Sequence, residues 1–423
     1  MKRWLACVLA AGGCDPYAAW PEPQDAFPWV FTPLDDLQPY EEVRVETETW
    51  TPLVDLQQTA LYVQKSVDHR TGAPAEERLH FAELRASMPP LRTTDPLLSF
   101  VGDVMMFEGD PTGFADAVAD RLPGLRAGNL ETPVDPDAPT TREGLTDTYG
   151  LYAFNSRPEL LDALPLDVVQ LVNNHALDLG DPGLERTLAE VADRGLLDVG
   201  VDGAAPVVEV DGLAVGFVAA TWGVNVHPVE TTHDLAIVPF GHLDEPIDLS
   251  PIEDRVAGVR ERGAEVVVVM VHWGYEYEYF PDPHFLQLGR GLVEAGADLV
   301  VGTGPHAVEP AEICAVNRPT VKPGIGRCAV RTADGRPRTA AILYSLGDFG
   351  TDLATVPLQV GVIAAVSVDR TGITGLSWDP VATITDGPDR RVVPLGDLLE
   401  DEAYASESAR LDALMGASWR RTF

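Results

Sequence analysis

Positive charge is scarce in this chain: 423 residues carry 30 Lys and Arg against 66 Asp and Glu, a formal charge of −36. Phosphate backbones are bound by clustered Lys and Arg that displace counterions, so the balance argues against nucleic acid as a partner. It argues equally against electrostatic adhesion to an anionic membrane surface. Such a surface attracts metal cations, or it serves solubility alone. Long apolar runs are missing too: Val266–Val271 has the length of a buried strand and falls far short of a membrane span. Cysteines number only four, and none stands near the histidines of interest, which disfavours a thiolate zinc site. The nucleophile elbow G-x-S-x-G, the P-loop and the G-x-G-x-x-G fingerprint are absent. What is present, 45% hydrophobic and 23% charged residues, fits a globular protein with a large core.

The N-terminus carries its own signal. Met1, Lys2 and Arg3 form a basic start, and Trp4 to Ala11 is an apolar stretch too short to span a bilayer. It reads as an export signal. Ala11, Gly12 and Gly13 before Cys14 resemble a bacterial lipobox, although no Leu stands three residues before the cysteine. Cys14 is then the lipidated first residue of an extracytoplasmic envelope lipoprotein, and membrane contact is expected only through that lipid; ordinary secretion is the competing reading. With Cys7 removed and Cys14 lipidated, Cys314 and Cys328 remain, flanking a Pro/Gly-rich loop. A disulfide there is expected to contribute ~3 kcal/mol by restricting the unfolded chain; two free thiols are the alternative.

Four segments follow from texture: a leader over 1–14, a tether and N-terminal extension over 15–95, a main domain over 96–381 and a C-terminal tail over 382–423. In the extension, VETETW and TALYVQKSV are candidate strands. In the main domain, apolar runs of strand length alternate with helical patterns, which predicts an α/β protein with helices covering sheet. One helix is expected to be capped by Asp181, with Pro182 in its first turn, Leu184, Leu188 and Val191 on one face and Gly195 at its end. Phe114, Val118 and Leu122 mark a second, and Phe285, Leu288, Leu292 and Ala295 a third that stops at Gly296.

Polar residues collect just after the strands: Asp103 after LLSFVG, Asn173, Asn174 and His175 after DVVQLV, His272 after VVVVMV, His306 after DLVVGTGP and Asp348 after ILYSLG. Open α/β sheets gather ligands at the carboxyl ends of their strands. Each residue has a plainer reading: Asp103 as a turn residue, Glu131 as a solvated carboxylate, Asn173 to His175 and Asp178 as loop hydrogen-bonders, His272 as a buried imidazole. Together they offer the mixed nitrogen and oxygen donors that suit Mn, Fe or Zn better than Ca. The aromatic stretch Trp273, Tyr275, Tyr277, Tyr279, Phe280 serves as a substrate wall or as packing. His227 and His284 are the remaining histidines with a possible role, while His69, His80, His233 and His242 are read as surface or packing residues.

The strings FVGDVMM, GNLETPV, YAFNSRPELLDAL, VVQLVNNHALDLG, VVVMVHWGYEY, LVEAGADLVVGTGPHAVEP and ILYSLGDF, in order between Leu97 and Asp369, resemble the CapA family of capsule and poly-γ-glutamate synthesis proteins. The resemblance implies a metallophosphoesterase-like α/β/β/α sandwich with metal-binding loops at one edge. It implies one or two divalent ions held by Asp103, Glu131 (bridging), Asn174, His272 and His306. His175 is then an acid or orienting imidazole, with Asp178 beside it. Asn173, Trp273, Tyr275, Glu276 and Asp348 are candidate substrate contacts. The implied partner is an envelope polymer such as poly-γ-glutamate, or its export machinery. The sequence departs from phosphoesterases where Met105 replaces a second histidine, where GTGPH lacks a paired histidine and where Asp348 replaces Asn. The implied activity is metal-dependent hydrolysis; a non-catalytic envelope role and a metal-free binding lipoprotein are the competing functions.

Overall fold

Apolar runs buried at every position, such as Val266–His272 and Leu299–Thr303, form the inner strands. The computed structural model describes Phe81 and the stretches 90–150, 153–225, 229–238, 247–317 and 328–421. The leader, Cys14, the two candidate strands of the extension, and His69, His80, His227 and His242 lie outside the described residues.

In chain order the elements are β1 (Leu97–Met105), β2 (Leu125–Glu131), α1 (Arg142–Thr148), α2 (Glu159–Ala163), β3 (Val168–Gln170), α3 (Gly180–Asp193), β4 (Leu197–Val199), β5 (Val207–Val210), β6 (Leu213–Thr221), α4 (Ser250–Glu261) and β7 (Val266–His272). There follow α5 (Pro283–Glu294), β8 (Leu299–Thr303), β9 (Ala311–Val316), β10 (Ala329–Val330), β11 (Arg338–Leu343), α6 (Val356–Gln359), β12 (Val360–Asp369), β13 (Gly372–Asp386), β14 (Asp389–Pro394) and α7 (Glu402–Leu411).

The strands join in the order β4-β3-β2-β1-β12-β13-β11-β8-β7-β6-β5. Two parallel groups, β1 to β4 and β6, β7, β8 with β11, are bridged by the long antiparallel pair β12 and β13. The sheet curls so that the groups approach: the Asp103 amide donates to the Gly347 carbonyl at 3.1 Å. Helix α3 packs on β4, α4 on β6, and α5 on β8 and β11. The mixed α/β architecture expected from the alternating pattern is the one observed.

Three local readings need correction. Residues 114–122 form turns and one short 3-10 segment, Ala119–Arg121, although Phe114, Val118 and Leu122 are buried as a helix face would be. Pro111, Gly113 and Pro123 bracket the segment as turn-favouring residues. Asp181 does not cap α3, because Gly180, at φ 65°, already lies inside it. Its carboxylate instead accepts from the Thr231 and Thr232 hydroxyls and the Thr232 amide. The third is the region after Val381, where β13 continues to Asp386, β14 pairs with it, and Leu395, Leu411, Leu414 and Met415 enter the main core. Cys314 and Cys328 are bonded, with Cα atoms 4.5 Å apart.

The approach of β1 to the 345–347 segment depends on Gly102, where a β-carbon would sit 1.7 Å from the Gly347 carbonyl oxygen. Gly102→Ala is therefore expected to cost roughly 3 kcal/mol or more in denaturant unfolding, while Gly223→Ala, whose side chain would meet open space, is expected to be near neutral.

Candidate metal centre

Parallel strands in register deliver the site. Asp103 on β1 lies opposite Asn129 on β2, and His272 at the end of β7 lies opposite Thr303 on β8. Glu131 ends β2, and His306 follows β8 in a left-handed conformation (φ 57°) that the chain accepts only where packing dictates it. Asp103, Glu131, His272 and His306 are all buried.

Glu131 is the hub. Its Oε1 stands 3.5 Å from His272 Nε2, 3.9 Å from His306 Nε2 and 4.0 Å from His175 Nε2. Two donors sharing one ion at bonds of about 2.1 Å lie no more than about 4.2 Å apart. Each imidazole can therefore share an ion with Glu131, and donor atoms of Asp103, Glu131 and His306 lie within 4.8 Å of one another. Among the described residues, neither Glu131 oxygen nor Asn174 Oδ1 has a hydrogen-bond partner, though all three are buried. Orphaned buried oxygens beside imidazoles are what a cation would satisfy, so the residues present fit one.

The other ring nitrogens are all engaged. His306 Nδ1 is 2.9 Å from Asp348 Oδ1, His175 Nδ1 is 2.6 Å from Asp178 Oδ2, and His272 Nδ1 is 3.1 Å from the Thr303 hydroxyl. Ligation through Nε2 requires the proton on Nδ1, which the carboxylates behind His306 and His175 can accept; His272 Nδ1 lies between the Thr303 hydroxyl and the Asn129 amide nitrogen, the latter at 3.2 Å. Asp103 is held by the Asn129 amide at 2.7 Å and the Gly304 N–H at 2.9 Å.

Charge follows this geometry. Burial, then the Asp103, Asp348 and Glu276 carboxylates, push Glu131 well above the usual carboxylate range, with His306 opposing. Burial likewise lifts Asp348 to about 7 against the pull of His306. His306 is itself raised: burial opposes its charge, but Asp348, Glu131 and Asp103 outweigh that. For His272, burial is the largest effect and lowers it despite Asp103. Asp103 is lowered, because His272, His306 and Asn129 together outweigh a large burial penalty.

Asp103, Glu131, His272 and His306 thus come together with His175 beside them, and Asp178 and Asp348 stand behind His175 and His306. Asp348, expected as a substrate contact, sits behind His306 as its orienting carboxylate. Asn173 is also removed from substrate: its amide donates to Asn129 Oδ1 and the Leu130 carbonyl, and its oxygen accepts from the His175 N–H. Trp273 belongs to the core, its indole N–H donating to the Tyr344 carbonyl and its ring stacked on Tyr344, which leaves no face for a ligand. Tyr275 packs edge-on against Phe285, and half-buried Glu276 is near enough to influence Glu131. His284 is buried against Phe285, and His233 pairs with Asp202.

Four contributors escaped the sequence reading. Asn129 stands two residues before Glu131 on one strand, so the two share a face, and that spacing was a usable signal. Thr303 ends β8 as His272 ends β7. Phe154 lies flat on His175 (3.7 Å between centroids, 4° between planes) and donates its N–H to Asp178, and Asn225 reaches the same imidazole at 3.4 Å; nothing local in sequence marks either.

A curled mixed α/β sheet thus carries a buried Asp/Glu/His group at the ends of its strands. The family model described as "Bacterial capsule synthesis protein PGA_cap" matches residues 97–352, more than half of the chain. The chain belongs to this CapA family. It is 28% identical over 249 residues to "PGA biosynthesis protein CapA" of Bacillus subtilis (strain 168), covering 54% of this chain and 63% of that protein. It is 27% identical over 245 residues to "Capsule biosynthesis protein CapA" of Bacillus anthracis, covering 55% of this chain and 57% of that protein. The match thus spans about 60% of the length of these curated relatives. Among solved structures, the calcineurin-like phosphoesterase YfkN from Bacillus subtilis aligns with 76% of this chain and 98% of its own at 11% identity and a TM-score of 0.35.

The raised groups predict how a cation competes with protons. Glu131 and His306 hold protons to higher pH than ordinary, so cation entry must displace them and affinity falls as pH falls. Calorimetry with Mn²⁺ or Zn²⁺ is expected to show about a tenfold weakening per pH unit for each proton displaced. Glu131→Gln should abolish binding without lowering the stability of the metal-free protein, since it removes a buried carboxylate that lacks a partner.

Proposed function

We propose that this chain is an exported component of capsule or poly-γ-glutamate synthesis whose buried centre is a metal-dependent hydrolase site acting on an envelope polymer or a phosphoester. One observation carries the reading: three imidazole Nε2 atoms converge on one partnerless buried carboxylate, and each carries a hydrogen-bond partner on its other nitrogen. Asp103, Glu131, Asn174, His272 and His306 would hold the ion or ions, with Mn, Fe or Zn favoured by the donor set. When bound, such an ion supplies Lewis acidity and a water acidified for attack. His175 acts from the chain itself. Asp178 and Phe154 hold its imidazole in one orientation, so that Nε2 can pass a proton to the departing oxygen or nitrogen. Burial is the largest influence on Asp178 and raises it, with His175 opposing.

In this proposal the leader directs export and a lipid on Cys14 holds the chain at the envelope, and the acidic surface requires bridging cations if the polymer is itself anionic. One feature favours the alternative of a non-catalytic component assisting export or anchoring: Met105 is buried where the resemblance calls for a second histidine, and its sulfur accepts from the Thr351 hydroxyl at 3.2 Å.

Metal content of purified protein, with hydrolysis of phosphoester and γ-glutamyl substrates by wild type and His175→Ala, tests the proposal. Stoichiometric transition metal and a loss of about 10²- to 10⁴-fold in turnover at retained metal content are expected. Metal binding with no turnover of any substrate would leave the non-catalytic reading. Absence of metal from protein refolded with Mn²⁺, Fe²⁺ or Zn²⁺ would sink both the ion and the hydrolysis.

A further inference from the structure

Two loops close the centre from the β7–α5 and β8–β9 sides, and both touch one residue far away in sequence. Arg410 on α7 lies well beyond residue 352, where the family match ends. It is 4% exposed, as is its partner Glu407. Its Nε and Nη2 donate to the Glu407 carboxylate at 2.5 to 3.0 Å. Its Nη1 reaches the Val308 carbonyl at 3.5 Å, and its guanidinium carbon lies 3.9 Å from the centroid of the Tyr279 ring.

Val308 stands two residues after His306. Tyr279 stands two residues after Tyr277, whose N–H donates to the Pro305 carbonyl at 2.7 Å and whose ring centroid is 6.0 Å from that of His306. Tyr277 and His306 both have positive φ, at 70° and 57°. Backbones in that region persist only where surrounding contacts over-determine them. Arg410 supplies such a contact to each loop at once.

Stability alone does not account for a fully buried ion pair here, because apolar residues of equal volume usually serve as well or better. What the guanidinium adds is direction: a flat, rigid fork that fixes a carboxylate, a carbonyl and an aromatic face together. We infer that Arg410 is a positioning residue of the metal centre, holding the loop of His306 against the loop of Tyr277 so that the imidazole meets Glu131. The inference rests on the reading of His306 as a ligand.

The test uses the full chain with Arg410→Met/Glu407→Leu, which removes both charges, alongside Arg410→Lys, which keeps the charge and loses the fork. Arg370→Met, at a surface pair with Glu265, is the control. Hydrogen exchange over 275–280 and 304–310 in metal-free protein is read beside calorimetric Mn²⁺ and Zn²⁺ affinity and thermal unfolding. Cooperative unfolding and sheet protection should persist in the double variant. Exchange in both loops should quicken about tenfold or more, and ion affinity should fall 10- to 100-fold, the range for residues that orient ligands. Arg410→Lys should show the same changes more weakly, and it is read in the same way if the double variant does not fold. Wild-type exchange in both loops of a folded variant would overturn the inference, as would unchanged ion affinity. Failure of the wild type to bind either ion would instead remove the ligand reading of His306, while the exchange data still decide whether Arg410 holds the loops.

Discussion

The structure is organised around a carboxylate in an unfavourable place. Glu131 is fully buried, accepts no hydrogen bond among the described residues, and lies near three other acidic groups that make its ionisation harder. Leaving a charge buried and unpaired costs several kcal/mol, so a fold keeps such a group only where something repays it. Three imidazoles aimed at the same oxygen show where that repayment comes from. The surrounding network, with Asp348, Asp178 and Thr303 each on the back of a histidine, fixes the orientation of all three rings.

Delivering those groups requires two halves of a sheet to meet. Asp103 and Glu131 come from one parallel group, His272 and His306 from the other, and the donor atoms are brought together only because β12 and β13 bridge the groups and the sheet curls. Gly102 marks that approach, with the Gly347 carbonyl where a β-carbon would have to go, while Gly302 and Gly304 pack closely within the second group against Tyr344 and Trp273. The Gly304 N–H donating to Asp103 spans the seam directly. Packing and chemistry are therefore inseparable here: loosening the seam would separate the ligands before it exposed much core.

Beyond the centre, the site is supported from outside the region shared with the family. The C-terminal segment extends the sheet with β14 and buries α7 against the loops near His306. Strand β14 begins with the charged run Asp389, Arg390 and Arg391 before Val392 and Val393, and that hid it from a reading tuned to continuous apolar runs. The helix expected over 114–122 failed for the opposite reason. Spacing of apolar residues by four satisfies a run of buried turns as well as a helix.

Continuous apolar runs, several of them followed by Asp, Asn or His, determined from sequence alone that strands would be buried on both faces and that polar side chains would collect at their carboxyl ends. That inference is strong because side-chain direction in a strand and the turn after it are local properties. Which nitrogen of each histidine faces inward, that Asp348 backs His306, that Asn173 and Trp273 turn into the core, and that Phe154 and Arg410 brace the site are matters of contacts between residues distant along the chain. Only the tertiary structure could decide them, because a side chain's partners depend on where the sheet curls and which loops it brings together.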